Sequence, residues 1–388
     1  MKHDLRAFPS ELLAYFNKVF GEEAHLMIDS LKRPAQRYFI RVNTLKIRKE
    51  ILLSRLRARG IEAYDYPLLD DAIYLAVKGP FEIPEKGKVV IADKFASESV
   101  YVGANLYAPG VLKADPTIRK GDLVIIKSPS GGVIAQGIAM MSGALMKKAS
   151  QGLAVKVRLS RYYVPSLREL KEYRLGLIYE QSLPAMLVSH VLRPCPDEVV
   201  VDMCAAPGGK TTHMAQLMKN QGIIYAFDRS PAKVRKLLEN VRRLGVKNVE
   251  AFVHDSRYLH VDFPDLKADK VLLDPPCSAL GVRPKLYESK GIKDIISCMD
   301  YQKQFLRAAF KILKSGGLLA YSTCTLSVEE NELVIKYAIN NFGMRLVEQS
   351  IILGSEGLEI VEHHDRLQRF YPHRHDTPGY FIALLEKP

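Results

Sequence analysis

Two short polar motifs carry the residues best suited to covalent chemistry, Asp274-Pro275-Pro276-Cys277-Ser278 and Ser322-Thr323-Cys324-Thr325. Each follows an apolar run, ADKVLL and GGLLAY, so each cysteine stands just past the carboxyl end of a predicted strand. Neighbouring strand ends in an open α/β sheet share one crevice. That places Cys277, Cys324 and Asp274 together. The thiolate is the reactive form of cysteine, and a free thiol has a pKa of about 8.5, so a basic neighbour such as Lys210 would help. The chain holds five cysteines, an odd number with no CxxC pair, so neither a disulfide framework nor a zinc ribbon is expected. Free thiols suit a reducing cytoplasm. Cysteine is also an ordinary core residue. Cys195 and Cys298, which lie outside any motif, are read that way.

A second constellation surrounds Asp202-Met203-Cys204-Ala205-Ala206-Pro207-Gly208-Gly209-Lys210-Thr211. Small residues and two glycines after a strand let a backbone approach a ligand closely before a helix begins. The tail GGKT is like the end of a phosphate-binding loop, but Cys204 stands where that motif needs its first glycine. ATP is therefore a minor alternative. Asp228 ends the next strand-like run, and an acid there reads ribose hydroxyls in dinucleotide folds. His254-Asp255 ends the third, placed to reach an adenine amino group. Each acid alone could cap a helix. Together, acids at consecutive strand ends point to an adenosine cofactor held by Cys204, Ala205, Ala206, Pro207, Gly208, Gly209, Lys210, Asp228, Asp255 and Asp274.

These residues need a scaffold, and 388 residues with 47% hydrophobic content can supply two or three domains. From residue 166 to 388, strand-like and helix-like runs alternate, which predicts a mostly parallel sheet with helices on both faces. That alternation follows two predicted helices, SLRELKEYRLGLIYEQS and LPAMLVSHVL. A further helix is expected from Ser327. Residues 1–90 read as an α+β unit. It opens with one amphipathic helix, SELLAYFNKVFGEEAHLMIDSL, capped by Ser10. The strand RYFIRVNTLK follows, and then a helix ended by Gly60. Its arginines (Arg33, Arg37, Arg41, Arg48, Arg55, Arg57 and Arg59) either face RNA or form a solvated face. Residues 91–165 are dense in short strands separated by turns, as in a small barrel.

The formal charge is +13, with +6 of it between residues 91 and 166. A polyanion is the natural partner, because neutralised phosphates release counterions. No signal-peptide run or membrane-length stretch occurs. The histidines at 363–364, 373 and 375 lack recognised ligand spacing and read as loop or RNA-facing surface, so no metal is expected.

The barrel-like segment, with Gly103–Val111 and the turn Lys120-Gly121-Asp122, resembles the PUA domain of RNA-modifying enzymes. The resemblance implies RNA contacts from Gly103, Ala104, Asn105, Leu106, Pro109 and Gly110. The motifs VDMCAAPGGKT, LLDPPCSALG and AYSTCTLSVEENE resemble the NOL1/NOP2/Sun family of RNA cytosine-5 methyltransferases. RVNTLK upstream and RFYPHRHDTPGYFIALLEK at the end fit the same family. Resemblance to its PUA-containing subgroup implies S-adenosyl-L-methionine as cofactor and a tRNA acceptor-stem cytosine near the CCA end as substrate. It also implies a Rossmann-like methyltransferase core carrying an N-terminal α+β unit and an inserted PUA-like barrel.

By that resemblance Cys324 is the nucleophile. It adds to C6 of cytosine, which makes C5 reactive toward the methyl sulfonium, and Cys277 assists release of the C5 proton. Asp274 would hold the N3/N4 edge. DNA cytosine-5 enzymes use the Pro-Cys cysteine instead, which would reverse the two roles. A non-catalytic RNA-binding or assembly factor is the other alternative, opposed by the intact cysteine pair and glycine loop. Amino methylation is disfavoured because Cys277 stands where an aromatic would follow the prolines. A cytoplasmic monomer with no obligate protein partner is the simple expectation.

Overall fold

A computed structural model describes residues 7–388; the first six residues of the N-terminal stretch lie outside it. Two compact units emerge. One holds the described residues up to Tyr38, Ala76–Leu167 and Arg283–Gly291; the other holds Phe39–Leu75, Arg168–Val282 and Ile292–Pro388.

The larger unit is built on an eight-stranded sheet. Its strands are β1 (Val199–Asp202), β2 (Ile223–Asp228), β3 (Val249–Val253), β4 (Ala268–Leu273), β5 (Leu313–Thr323), β6 (Arg345–Leu346), β7 (Gln368–Phe370) and β8 (Tyr380–Glu386). Their order is β3-β2-β1-β4-β5-β8-β6, with β7 also paired to β8. The first five strands are parallel, and β8 runs antiparallel to β5. Residues along the strands alternate between two buried faces, as the pleat requires. Val201, Phe227, Val271, Leu273 and Tyr321 enter one core. Val200, Ala226, Leu272 and Ala320 enter the other. Chain order reverses at β1 and β4, which opens the crevice at their carboxyl ends.

The helix Pro231–Leu244 shows how the sequence builds this layer. Ser230 accepts a bond from Lys233 N–H, Pro231 opens the helix, and Val234, Leu237, Val241 and Leu244 form its buried stripe. Gly245, at φ 74°, ends it in the left-handed region.

A four-stranded sheet, lying mostly in the same unit, joins Arg37–Val42, Ala63–Asp65, Ala72–Ala76 and Ile178–Glu180. Here the structure corrects the expected helix SLRELKEYRLGLIYEQS. Only Lys171–Arg174 is α-helical, after a single 3₁₀ turn at Leu167–Glu169. Gly176, at φ 68°, turns the chain, and Ile178–Glu180 becomes a strand opposite Ile40–Val42. Tertiary pairing overrides helical propensity there.

The smaller unit contains a six-stranded sheet ordered Leu106–Tyr107, Leu153–Ser160, Val133–Ala139, Leu123–Lys127, Lys88–Ala92 and Val111–Ala114. Val90, Val100, Ile126, Ile134 and Val155 form its core. Asp93 caps the helix Lys94–Tyr101 by accepting from Ala96 N–H. At Gly137 the strands run so close that an added Cβ would meet the Lys156 carbonyl oxygen at 2.4 Å. The expected single N-terminal helix is two, Ser10–Phe20 and Glu23–Leu31, broken at Gly21 with φ 55°. Pro9, not Ser10, occupies the cap position, and no side chain caps the helix.

Candidate active site

The cofactor loop leaves β1 at Asp202, whose carboxylate accepts from Cys204 N–H at 3.3 Å and Thr211 Oγ1 at 2.7 Å. Burial pushes the Asp202 carboxyl up to about 7, while the Thr211 bond and the Lys210 charge oppose it. Ala205 N–H donates to the Phe227 carbonyl, and Gly208 N–H donates back to Ala205. Gly208 adopts φ 101°, so the helix Gly209–Leu217 starts with its amino end toward the crevice. A cavity of about 240 Å³ lies there, lined by Cys204–Pro207, Gly209, Lys210, Asp202 and Asp274, and by Tyr179–Ser182. Sequence reading missed the Tyr179–Ser182 wall, because it assigned that stretch to a helix. Cys204 packs against the core beneath the loop, and burial raises its thiol pKa.

Arg41 is a clear correction. It was one of seven arginines read as RNA-facing or solvated, yet it is 1% exposed. Its guanidinium donates to Gln181 Oε1 at 2.8 Å, the Gly209 carbonyl at 2.5 Å and Thr212 Oγ1 at 2.8 Å, and it stacks over Tyr179. Burial lowers its pKa to about 10, with Asp71 opposing the shift. By contrast, Arg33, Arg48, Arg55, Arg57 and Arg59 are exposed.

Asp71 belongs to a buried cluster the sequence did not reveal. Its carboxylate takes bonds from His190 at 2.9 Å, His213 at 2.6 Å and Gln216 at 3.1 Å. Asp71, His190 and His213 have the composition of a metal site. In the structure both imidazoles bond the carboxylate, and the charge of Arg41 reaches both Asp71 and His213.

Asp228 and Asp255 stand where the sequence placed them, at the ends of β2 and β3. Asp228 accepts from Ser230 N–H at 3.0 Å. Asp255 is engaged on both oxygens by Arg257, at 3.0 and 2.7 Å, and this bond holds its carboxyl below the usual range. Arg257 also lies 4.7 Å from the Tyr301 ring centroid.

Asp274, just past β4, is the hub of the crevice. Lys210 Nζ lies 2.6 Å from its Oδ2, Ser322 Oγ donates to Oδ1 at 2.8 Å and Tyr380 OH to the same oxygen at 3.3 Å. Burial alone would lower the Lys210 pKa, but the charge of Asp274 reverses this and raises it well above normal. Lys210 is thus committed to Asp274, which corrects its expected service to a thiol. Cys277 Sγ and Cys324 Sγ are 3.4 Å apart. The bond to Cys324 raises the Cys277 thiol pKa, followed by burial and by the charges of Cys324, Glu330 and Asp274. Gly281 N–H, from the Cys277 loop, donates to the Cys324 carbonyl at 2.9 Å.

The expected helix from Ser327 begins only at Glu332. Ser327 Oγ donates to Glu330, whose carboxylate also accepts from Ser278 N–H, and Asn331 Nδ2 donates to the Thr325 carbonyl. Cys195 is exposed and Cys298 half-buried, so neither is the core residue expected.

In the smaller unit, Ala104 and Pro109 are exposed. Leu106 is fully buried in the barrel core, which removes its side chain from the candidate RNA contacts. Asn105 Oδ1 is occupied by Val157 N–H at 2.9 Å. Gly103 and Gly110 are half-buried; an added Cβ on Gly110 would meet Ala96 at 2.5 Å. Among the described residues, no helix is long and apolar enough to cross a membrane.

A glycine loop after the first strand, acids at successive strand ends and this strand order together define a Rossmann-like methyltransferase. Comparison with known proteins narrows the class. Residues 189–386 match the 16S rRNA methyltransferase RsmB/F family, residues 87–159 the PUA domain, and residues 8–82 the ferredoxin-like domain of RsmF/B-like methyltransferases. A tRNA (cytosine(72)-C(5))-methyltransferase of Pyrococcus horikoshii is 50% identical, over 99% of this chain and 98% of its own. The human tRNA (cytosine(72)-C(5))-methyltransferase NSUN6 is 31% identical over 89% of this chain and 82% of its own. The crystal structure of NSun6 from Pyrococcus horikoshii with SFG superposes with a TM-score of 0.91 at 50% identity, covering 99% of each chain. The chain belongs to the RsmB/F (Sun) family of RNA cytosine-C5 methyltransferases, and it carries an RsmF/B-like ferredoxin-like domain and a PUA domain.

Proposed function

We propose that this enzyme methylates C5 of cytosine 72 in the acceptor stem of tRNA, using S-adenosyl-L-methionine and a covalent adduct to Cys324. The 3.4 Å cysteine pair at adjacent strand ends, next to the Lys210–Asp274 pair, carries this reading. The specific substrate is supported by the relatives of matching length.

The crevice fits the cofactor. Backbone from Cys204 to Gly209 approaches closely, Asp228 suits the ribose and Asp255 the adenine. When bound, the cofactor supplies the methyl group. The remaining steps belong to the chain and the base. Asp274, held by Lys210, Ser322 and Tyr380, orients the cytosine N3/N4 edge. Cys324 as thiolate adds to C6, which makes C5 nucleophilic. After methylation the C5 proton leaves with the help of Cys277, and the C6–S bond breaks to restore the ring. The base must first unstack, which costs about a few kcal/mol and less at a stem end. The 1–90 and 91–165 segments would grip the RNA while 166–388 carries out the chemistry. On this reading the chain acts as a cytoplasmic monomer.

The test uses labelled S-adenosylmethionine with tRNA transcripts carrying C72 or U72, a ribosomal RNA fragment and duplex DNA. Label should enter only the C72 transcript, as 5-methylcytosine. Incorporation into U72 transcript at an equal rate, or into DNA, overturns the proposal.

A further inference from the structure

Glu330 is fully buried, and its carboxylate connects to both cysteine loops. Ser278 N–H, in the residue after Cys277, donates to Glu330 Oε2 at 2.8 Å, and Gln302 Nε2 donates to the same oxygen at 3.0 Å. Ser278 Oγ and Ser327 Oγ both donate to Oε1. Because the Ser278 hydroxyl proton is spent on Glu330, Thr325 must donate in the 2.6 Å Thr325–Ser278 hydroxyl bond. Thr325 is the residue after Cys324. Gln302 also donates to the Pro276 carbonyl at 3.1 Å, and Tyr321 OH donates to the Glu330 carbonyl at 2.7 Å. One carboxylate, with two donors on each oxygen, therefore staples Pro276–Ser278 to Thr325 and Ser327.

The geometry points to Glu330 as the positioning residue that sets the distance between Cys277 and Cys324 by holding the two loops that carry them. This rests on the reading of Cys324 as nucleophile. A buried network with every member satisfied is rigid, and one with a missing acceptor is costly. Ser278 and Thr325 hang on one side of that network, so the two sulfurs cannot drift independently. The charge also matters. Glu330 is among the groups that raise the Cys277 thiol pKa. That charge disfavours the Cys277 thiolate while Cys324 adds to C6; Cys277 gives its own proton to solvent after the addition, before it takes up the C5 proton. A neutral group of the same shape would keep much of the packing and lose that bias.

The experiment uses the full chain with Glu330→Gln, and Ser278→Ala as the variant that keeps the charge. Alkylation of Cys277 and Cys324 by iodoacetamide is followed against pH by peptide mass spectrometry, without RNA. Turnover is then measured on C72 tRNA. Glu330→Gln should move the Cys277 alkylation midpoint to lower pH. It should cut kcat by about tenfold or more, with KM for tRNA and affinity for S-adenosylmethionine within about twofold, as expected when only the chemical step is touched. Ser278→Ala should lower kcat while leaving the Cys277 midpoint in place. The inference is overturned if Glu330→Gln keeps wild-type kcat, or if the folded variant shows both midpoints unmoved. The thiol measurement does not depend on methylation. A wild-type enzyme that fails on C72 tRNA while the midpoint shift is present would sink the substrate reading and leave Glu330's role standing.

Discussion

Replacing Arg41 tests whether the arginine of the RVNTLK stretch serves the cofactor loop or the RNA. Arg41→Met removes three charge-assisted bonds, to Gln181, Gly209 and Thr212. Hydrogen bonds to charged groups contribute about 1.5–3 kcal/mol each and do not add fully. The Gly209 carbonyl and Gln181 lose a buried donor, and Asp71, whose charge raises the Arg41 pKa, loses a nearby positive charge. Removing one member of a buried charged set costs about 3–5 kcal/mol. At about 2 °C per kcal/mol for a unit of about 250 residues, the size of the larger unit, its melting temperature should fall by about 6–10 °C. Arg41→Lys keeps the charge but cannot span three acceptors, so about half that loss is expected. Gly209 opens the helix beside the cavity. Affinity for S-adenosylmethionine should therefore weaken by about tenfold, or about 1.4 kcal/mol, by calorimetry. Filter binding of tRNA over a salt series should show an unchanged slope. A variant with normal melting and normal cofactor affinity, but a shallower salt slope, would refute this reasoning and return Arg41 to the RNA surface.

Cys324→Ala should abolish turnover, while Cys277→Ala should accumulate a covalent RNA adduct visible as a shifted band on denaturing gels; equal, adduct-free loss in both would reverse or dismiss the assigned roles. Lys210→Met strips Asp274 of its ammonium partner at 2.6 Å. It should lower kcat by about a hundredfold or more, in keeping with the loss of a preorganised electrostatic contact; turnover within threefold of wild type would exclude a catalytic part for the pair. In the smaller unit, burial would raise the Glu288 carboxyl, but Lys285 and Lys94 outweigh it and bring it down to about 2. Its folded value thus lies below its unfolded one. The stabilisation is complete above the unfolded pKa of about 4.5 and is lost as pH falls toward 2; its full size is about 3 kcal/mol. Glu288→Gln should flatten the melting temperature between pH 5 and 2, and an unchanged acid limb would show that Glu288 carries none of it.

Much of the site was legible because catalytic chemistry demands particular residues at strand ends. Cys277, Cys324 and Asp274 stand past β4 and β5, and the Gly208-Gly209 turn opens a helix after β1, as their motifs predicted. The α/β alternation was legible for the same reason, since strand and helix periods differ. Other residues were not. Arg41 carries no local signal that separates a buried cation from a surface one. Its acceptors lie 140 to 171 residues away in sequence. The Ile178–Glu180 strand looks helical by itself and is a strand only because Ile40–Val42 pairs with it. Leu106 illustrates the reverse error, in which a residue in a ligand-like stretch belongs to the barrel core.

The sequence by itself determined which atoms could react: two thiols, a carboxylate and an ammonium, each tied to a strand end by apolar patterning. Only the tertiary structure decided how they are paired. It gave Lys210 to Asp274, placed the cysteine sulfurs 3.4 Å apart and buried Glu330 between their loops. The physical reason is range. Patterning and turn chemistry act over a few residues, whereas hydrogen bonding and desolvation depend on neighbours that only the packed sheet brings within about 3 Å.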